Sequence, residues 1–132
     1  MPLPAHWRLV AENETGESIP TGNLSVDYRP YKGDGSGGVS YAAEVANTNS
    51  EAIADGAEED ITGTVDNATI GNVGLVGNVG VDLSGGTAPN GDVLLWLEGS
   101  TDAGTSFERS PSPLAILNFT GSAATKSTLI AI

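Results

Sequence analysis

The sequence predicts an all-β protein: an antiparallel β-sandwich or jelly-roll-like domain with an extended N-terminal arm. Three observations predict this class. Apolar residues recur in short runs with strand-like alternation, segments rich in Gly, Pro, Ser and Asn separate these runs, and little of the chain has a helical period. At 132 residues the chain is long enough for one domain with a modest core. We therefore divide it into an arm, residues 1–10, and a single sandwich domain, residues 11–132.

The arm begins with two prolines, Pro2 and Pro4, which favour an extended backbone over a helix. His6, Trp7 and Leu9 follow within the same segment. A tryptophan this close to a terminus packs either on its own domain or on a neighbouring protein. We favour the second alternative and predict that these three residues form an interaction arm.

The first half of the domain contains one clear strand. Leu24–Arg29 alternates apolar and polar residues, and Pro30 is expected to end it. Residues 31–38 are rich in glycine and predict a loop, in which a lone aspartate lacks the ligand spacing of a calcium site. A strand is predicted over 39–45, and a loop with a single helical turn over 51–54.

The second half has stronger patterns. Strands are predicted over Ile61–Val65, Val73–Leu83, Leu114–Phe119 and Ser127–Ile132, with the run Val93–Leu97 as the central strand. Because this run is apolar on both faces, either it lies within a two-layer core or another subunit covers its second face. Glycines on the outer side of the 73–83 strand indicate that another backbone approaches closely there or that a bulge bends the strand.

A motif follows the central strand. Ser100, Asp102, Gly104 and Phe107 fit the pattern S-x-D-x-G-x-[ST]-[WF] and resemble the Asp-box hairpin of sialidases. An aspartate in a tight turn can accept hydrogen bonds from backbone N–H groups further along the turn, and glycine permits positive φ without steric cost. These four residues therefore predict a structural turn and no catalytic element.

The composition limits the possible functions. Seventeen acidic and five basic residues give a net charge of −12, which argues against binding to nucleic acid or to an anionic membrane. There is no cysteine and only one histidine, and no signal peptide or apolar run of membrane length is visible. The acidic run Glu58-Glu59-Asp60 could serve a metal or a glycoside, but we interpret it as a strand start facing solvent. We expect no enzyme activity, no catalytic residues, no cofactor and no metal.

The segment Asp92–Ile132 is similar to the C-terminal part of small structural proteins of tailed bacteriophages, in the order DVLLWLEGSTDAGTSF, a proline-bearing link, LAILNFTG and a closing strand. The resemblance implies a virion structural protein of the head, collar or tail, and among these we expect a capsid decoration (cement) protein that stabilises the head lattice and binds the major capsid protein or another virion protein. By analogy we expect a homo-oligomer, with a trimer favoured, located in the virion. The alternatives are a tail or collar component, or a carbohydrate-binding β-sandwich module with Tyr31 and Tyr41 as its aromatic platform.

Overall fold

Two antiparallel sheets make up the protein, which confirms the predicted all-β sandwich. The computed structural model describes residues 3–132, in which there are eleven strands and no helix. Met1 and Pro2, the start of the predicted arm, lie outside the described residues. The strands are β1 (His6–Glu14), β2 (Leu24–Gly33), β3 (Val39–Tyr41), β4 (Val45–Thr48), β5 (Glu58–Asp60), β6 (Val65–Asp66), β7 (Gly74–Asp82), β8 (Asn90–Ser100), β9 (Glu108–Arg109), β10 (Ala115–Thr120) and β11 (Thr125–Ala131).

Each sheet has two long central strands and short or exposed strands at its edges. The first sheet has the order β10-β8-β1-β5, with β6 also paired to β1 and β9 also paired to β8. The second sheet has the order β11-β7-β2-β3, with β4 also paired to β2. The edge strands β10 and β11 contact each other, and we call them together the β10/β11 side. The opposite edges form the β3/β4/β5 side.

The predicted arm is instead a central strand, so the domain boundary at residue 10 is wrong for the described residues. Strand β1 pairs with β8 over its whole length, from His6 opposite Ser100 to Glu14 opposite Asp92. Trp7 and Leu9 face the second sheet and are 1% and 0% exposed. The physical reason is that the apolar residues of this segment recur with a period of two, so they share one face of a strand. When the strand pairs in the sheet, these side chains are buried in the core, which is more favourable than leaving them in water on an arm.

The core lies between the inner faces of the two sheets. Trp7 of β1 meets Tyr28 of β2 edge to face, with ring centroids 5.4 Å apart, and so joins the two layers near one end. The central strand β8 contributes alternate residues to this core, as its sequence predicted. The inner residues of the two sheets include Leu9, Ala11, Val93, Leu95, Leu97, Leu117 and Phe119 from the first, and Leu24, Val26, Leu75, Val79, Val81 and Ile130 from the second.

Four local predictions differ from the structure. Strand β2 continues through Pro30, because the proline lies between the stretches that pair with β4 and β3 and its carbonyl accepts the Ala42 N–H at 2.8 Å. The strand predicted over 39–45 is divided between β3 and β4. The helical turn over 51–54 is absent because Ile53 and Ile19 exchange two backbone hydrogen bonds of 2.9 Å in an isolated bridge. The strand predicted over Ile61–Val65 is replaced by the two-residue strand β6, which shares only Val65 with it.

Buried asparagines hold the long loops against the sandwich. The Asn13 side-chain N–H groups donate to the carbonyls of Glu17 and Ile53 at 2.7 and 2.8 Å. Asn49 accepts the Leu24 N–H at 2.9 Å through its side-chain oxygen. A buried amide without such partners would destabilise the fold, and these bonds let the irregular segments pass beside the core.

Candidate functional site

The hairpin after β8 is built by the residues of the Asp-box pattern. Asp102 Oδ1 accepts the backbone N–H groups of Thr105 at 3.1 Å and Ser106 at 2.8 Å. The Ser100 hydroxyl donates to the same Oδ1 at 2.7 Å and accepts the Gly104 N–H at 2.9 Å. Hydrogen bonds, above all from the Ser106 hydroxyl, hold the pKa of Asp102 well below its ordinary value. The carboxylate is therefore fully occupied in shaping the turn.

Positive φ angles follow the aspartate. Ala103 has a φ of 59° and Gly104 a φ of 87°, so the chain makes two left-handed steps inside the turn. Glycine adopts this conformation without strain, whereas alanine does so at a steric cost. The Phe107 ring that ends the motif lies beneath the Arg8 guanidinium, whose carbon is 4.0 Å from the ring centroid. The aromatic of the motif thus ties the hairpin to the first sheet.

The three residues predicted as an interaction arm are not brought together as a binding surface. Trp7 and Leu9 point into the core and have no surface to offer a neighbour. His6 points the other way, and its Nε2 lies 3.5 Å from the Asp66 carboxylate across the β1–β6 pair. The alternation in the sequence could have indicated this strand, but the two prolines and the terminal position favoured the arm.

The outer face of the first sheet carries an arginine–carboxylate cluster that the sequence reasoning missed. Arg109 makes two hydrogen bonds of 2.8 Å to Glu58 and two to Glu98, of 3.0 Å from its Nε and 2.8 Å from its Nη2. Glu98, which is buried, also accepts from Arg8 at 2.7 Å. Bidentate pairs of this kind are among the stronger ion pairs in proteins. Glu98 and Arg109 lie opposite each other in the Asp-box hairpin, whereas Arg8 and Glu58 come from distant parts of the chain, so no local sequence pattern indicates the whole cluster.

The same cluster covers the second apolar face of the central strand. The Arg109 guanidinium lies 4.9 Å from the ring centroid of Trp96, whose Nε1 donates to Glu12 at 2.8 Å. The hydrogen bonds to Arg109 lower the pKa of Glu58, and those to Glu58 and Glu98 raise the pKa of Arg109. Side chains of the same chain therefore cover much of the outer face of β8. Cover of this face by another subunit was one of the two alternatives that the sequence left open.

The outer face of the second sheet has an open groove of about 490 Å³. The polar side chains along it are those of Asp27, Arg29, Glu44 and Asn78, and Leu129 stands beside them with 83% of its surface exposed. Arg29 Nε donates to the Ala42 carbonyl at 3.1 Å, whereas the side chains of Asp27, Glu44 and Asn78 make no hydrogen bond within residues 3–132.

An aromatic pair lies at the end of this groove. The rings of Tyr31 and Tyr41 are 5.7 Å apart and tilted by 54°, and the Arg29 guanidinium lies 6.0 Å from the Tyr41 ring centroid. Tyr41 is 52% exposed. The Tyr31 hydroxyl donates to the Ile132 carbonyl across Gly74, where a Cβ would collide with both groups. The close approach expected at an outward glycine of this strand therefore occurs at Gly74.

No group of three or more metal-ligating side chains occurs within residues 3–132. Over the same residues no helix has the length and apolar character needed to cross a membrane. Comparison with known proteins identified no matching family model, no matching curated protein and no matching solved structure.

Proposed function

We propose that the protein is a non-enzymatic structural component of a virion: a capsid decoration protein that forms homo-oligomers, with a trimer favoured, and stabilises the head lattice by binding the major capsid protein. The similarity of Asp92–Ile132 to structural proteins of tailed bacteriophages supports the class of function. Because Trp7 and Leu9 are buried, we no longer assign the contact with a partner to these residues of the N-terminal segment.

The observation that carries the proposal is the character of the β10/β11 side. Residues 110–132 contain no Asp or Glu, although the chain as a whole has 17 acidic residues. Two residues of this segment are exposed apolar side chains, Ile116 on the outer face of the first sheet and Leu129 on the outer face of the second, at 55% and 83% of their surfaces. Since a net charge of −12 opposes association, exposed apolar side chains in a segment that itself has no Asp or Glu are the places where we expect a partner to bind.

Immunogold electron microscopy tests this function directly. An antibody raised against the recombinant protein is applied to intact particles of the virus that encodes the chain, and to separated heads and tails. We expect label on the heads. Label on tails or collars would support the tail or collar alternative, and particles without label or protein would contradict the proposal.

A second function, carbohydrate binding, is favoured by the groove and the tyrosine pair. Sugar rings stack on exposed aromatic rings and exchange hydrogen bonds with carboxylate and amide groups, and this face offers both. On a glycan array, the variant Tyr41→Ala should abolish any binding. Tyr31→Phe is the matched control because it removes the hydroxyl bonded to Ile132 and keeps the ring. Absence of binding by the unmodified protein would rule this function out for the glycans on the array.

A further inference from the structure

Two grooves adjoin on the outer face of the second sheet. The first is the groove of about 490 Å³ described above, and the second has a volume of about 320 Å³. The side chains of Ser25, Asp82, Lys126 and Ser127 lie along the second groove. Asn78 lines both grooves, so it stands at their junction. We call the two grooves together the trough.

The trough runs along β2 and β7. The odd-numbered residues of β2 face outward, so Tyr31, Asp27 and Ser25 follow one another along its length. Six residue steps separate Tyr31 from Ser25, which corresponds to about 20 Å at a rise of about 3.4 Å per residue. A ligand that contacts the tyrosine pair at one end and Ser25 at the other must therefore be an extended chain.

We propose that the trough binds an uncharged oligosaccharide of several sugar units, which lies along β2 and β7 across both grooves. This inference rests on the carbohydrate binding given above as the second function, and it identifies the class of ligand and the extent of the site. The exposed Tyr41 ring offers a stacking surface at one end. Polar side chains along the trough exchange hydrogen bonds with the sugar hydroxyls.

The middle of the trough is polar, which favours a sugar over a protein partner. Asp27 lies opposite Asn78 in the β2–β7 pair, and Ser25 and Ser127 lie on either side of β7 further along. The central parts of protein interfaces are depleted in Asp and Ser. Leu129 is apolar and exposed, but it stands on the edge strand at one rim. Carboxylate, amide and hydroxyl groups instead match the donors and acceptors of sugar hydroxyls.

The charges along the trough favour an uncharged sugar. Arg29 shares the first groove with Asp27 and Glu44, and Lys126 shares the second with Asp82. Neither groove presents charges of a single sign, which a charged sugar would require. The net charge of −12 also repels polyanionic glycans from the whole molecule.

Gly80 keeps the second groove open. A Cβ at this position would meet the Ser25 hydroxyl oxygen at 3.3 Å and the Ser127 Cβ at 3.7 Å, so it would stand between these two side chains. The φ of Gly80 is not in the positive range, and other residues can adopt its backbone conformation. A larger side chain at Gly80 would therefore fill the second groove while the strand keeps its pairing.

Isothermal titration calorimetry with oligosaccharides of increasing length tests the inference. The probes are uncharged oligomers of N-acetylglucosamine, of β-1,4-linked glucose and of α-1,4-linked glucose, each from one to six units, with oligogalacturonates as the anionic counterpart. We expect at least one uncharged series to bind and the oligogalacturonates not to bind. In the series that binds, the tetramer should bind about tenfold or more tightly than the dimer, as two further net hydrogen bonds would produce.

Two variants separate the grooves. Gly80→Val should reduce the affinity for the tetramer to that for the dimer and leave the dimer unaffected, because it fills only the second groove. Gly85→Val is the matched control, since this loop glycine has open space around it and a φ outside the positive range. Tyr41→Ala should abolish binding at every length. Circular dichroism checks that each variant folds.

NMR spectra of the unmodified protein give a readout that needs no variant. The amide signals of Gly80 and Ser127 should shift with the tetramer and stay unchanged with the dimer. Equal affinities for dimer and tetramer, binding of oligogalacturonates, or shifts confined to residues outside the trough would overturn this inference and leave carbohydrate binding in place. Absence of binding by every uncharged series would overturn both. The virion function is independent of these results, because the immunogold labelling tests it.

Discussion

Replacing Leu9 by alanine tests whether the N-terminal segment belongs to the core. Leu9 is 0% exposed, between the two sheets, so the substitution loses the transfer free energy of the side chain and leaves a cavity. Together these terms cost about 2–5 kcal/mol in the free energy of unfolding. Leu129→Ala is the matched control, because the same atoms are removed from a side chain that is 83% exposed. The control should change stability by less than about 0.5 kcal/mol.

Thermal unfolding can distinguish the destabilisation of the Leu9→Ala variant from that of the Leu129→Ala control. With an unfolding entropy of about 2.1 cal/mol/K per residue, a chain of this length loses about 7–18 °C in Tm for the Leu9 variant. The control should lose no more than about 2 °C. Urea unfolding gives the same comparison at constant temperature. A lower urea concentration at the midpoint, with an unchanged dependence of the unfolding free energy on urea, reports the loss of stability. Similar small shifts for both variants would refute the placement of β1 in the core and restore the exposed arm.

Three further results are expected. Asp102→Ala should lower the free energy of unfolding at pH 7. Because the pKa of Asp102 is lower in the folded state, the difference from the unmodified protein should shrink as the pH falls below about 4. A difference independent of pH would contradict the role of the charge. Arg109→Gln should raise the pKa of Glu58 in a carboxyl NMR titration, and an unchanged titration would show that the ion pair does not form in solution. Deleting residues 1–10 should yield an unfolded or insoluble protein, since half of β1 is lost; a folded product, seen by circular dichroism, would contradict the pairing of β1 with β8.

The outer face of the first sheet shows why some interactions lie beyond the reach of sequence patterns. Arg8, Glu58, Glu98 and Arg109 come from four separate segments, and each one alone is an ordinary charged residue of a strand. Their meeting depends on the registers of β5 and β8 relative to β1 and of β9 relative to β8, which local propensity does not fix. The acidic run that starts at Glu58 is a strand whose first residue is exposed, as expected, and the same Glu58 carboxylate also binds Arg109 in this cluster.

Features that depend only on residues close together in the sequence could be predicted from the sequence alone. The alternation in Val73–Leu83 and the apolar run Val93–Leu97 fixed two long strands, because side chains in a strand alternate between faces whatever the partner. The Asp-box residues fixed a tight turn, because Asp102 and Gly104 act on the backbone within a few residues.

Tertiary structure alone decided where the N-terminal segment lies and what covers each face. Whether Trp7 packs on its own sheet or on a neighbour depends on the free energy of pairing with β8, some ninety residues away in the chain. The open groove likewise follows from strand order, which brings Asp27, Asn78 and Leu129 together on the outer face of the second sheet. Composition gives the number of charges, and only the order and register of the strands decide which of them meet, as Glu58, Glu98 and Arg109 do on the outer face of the first sheet.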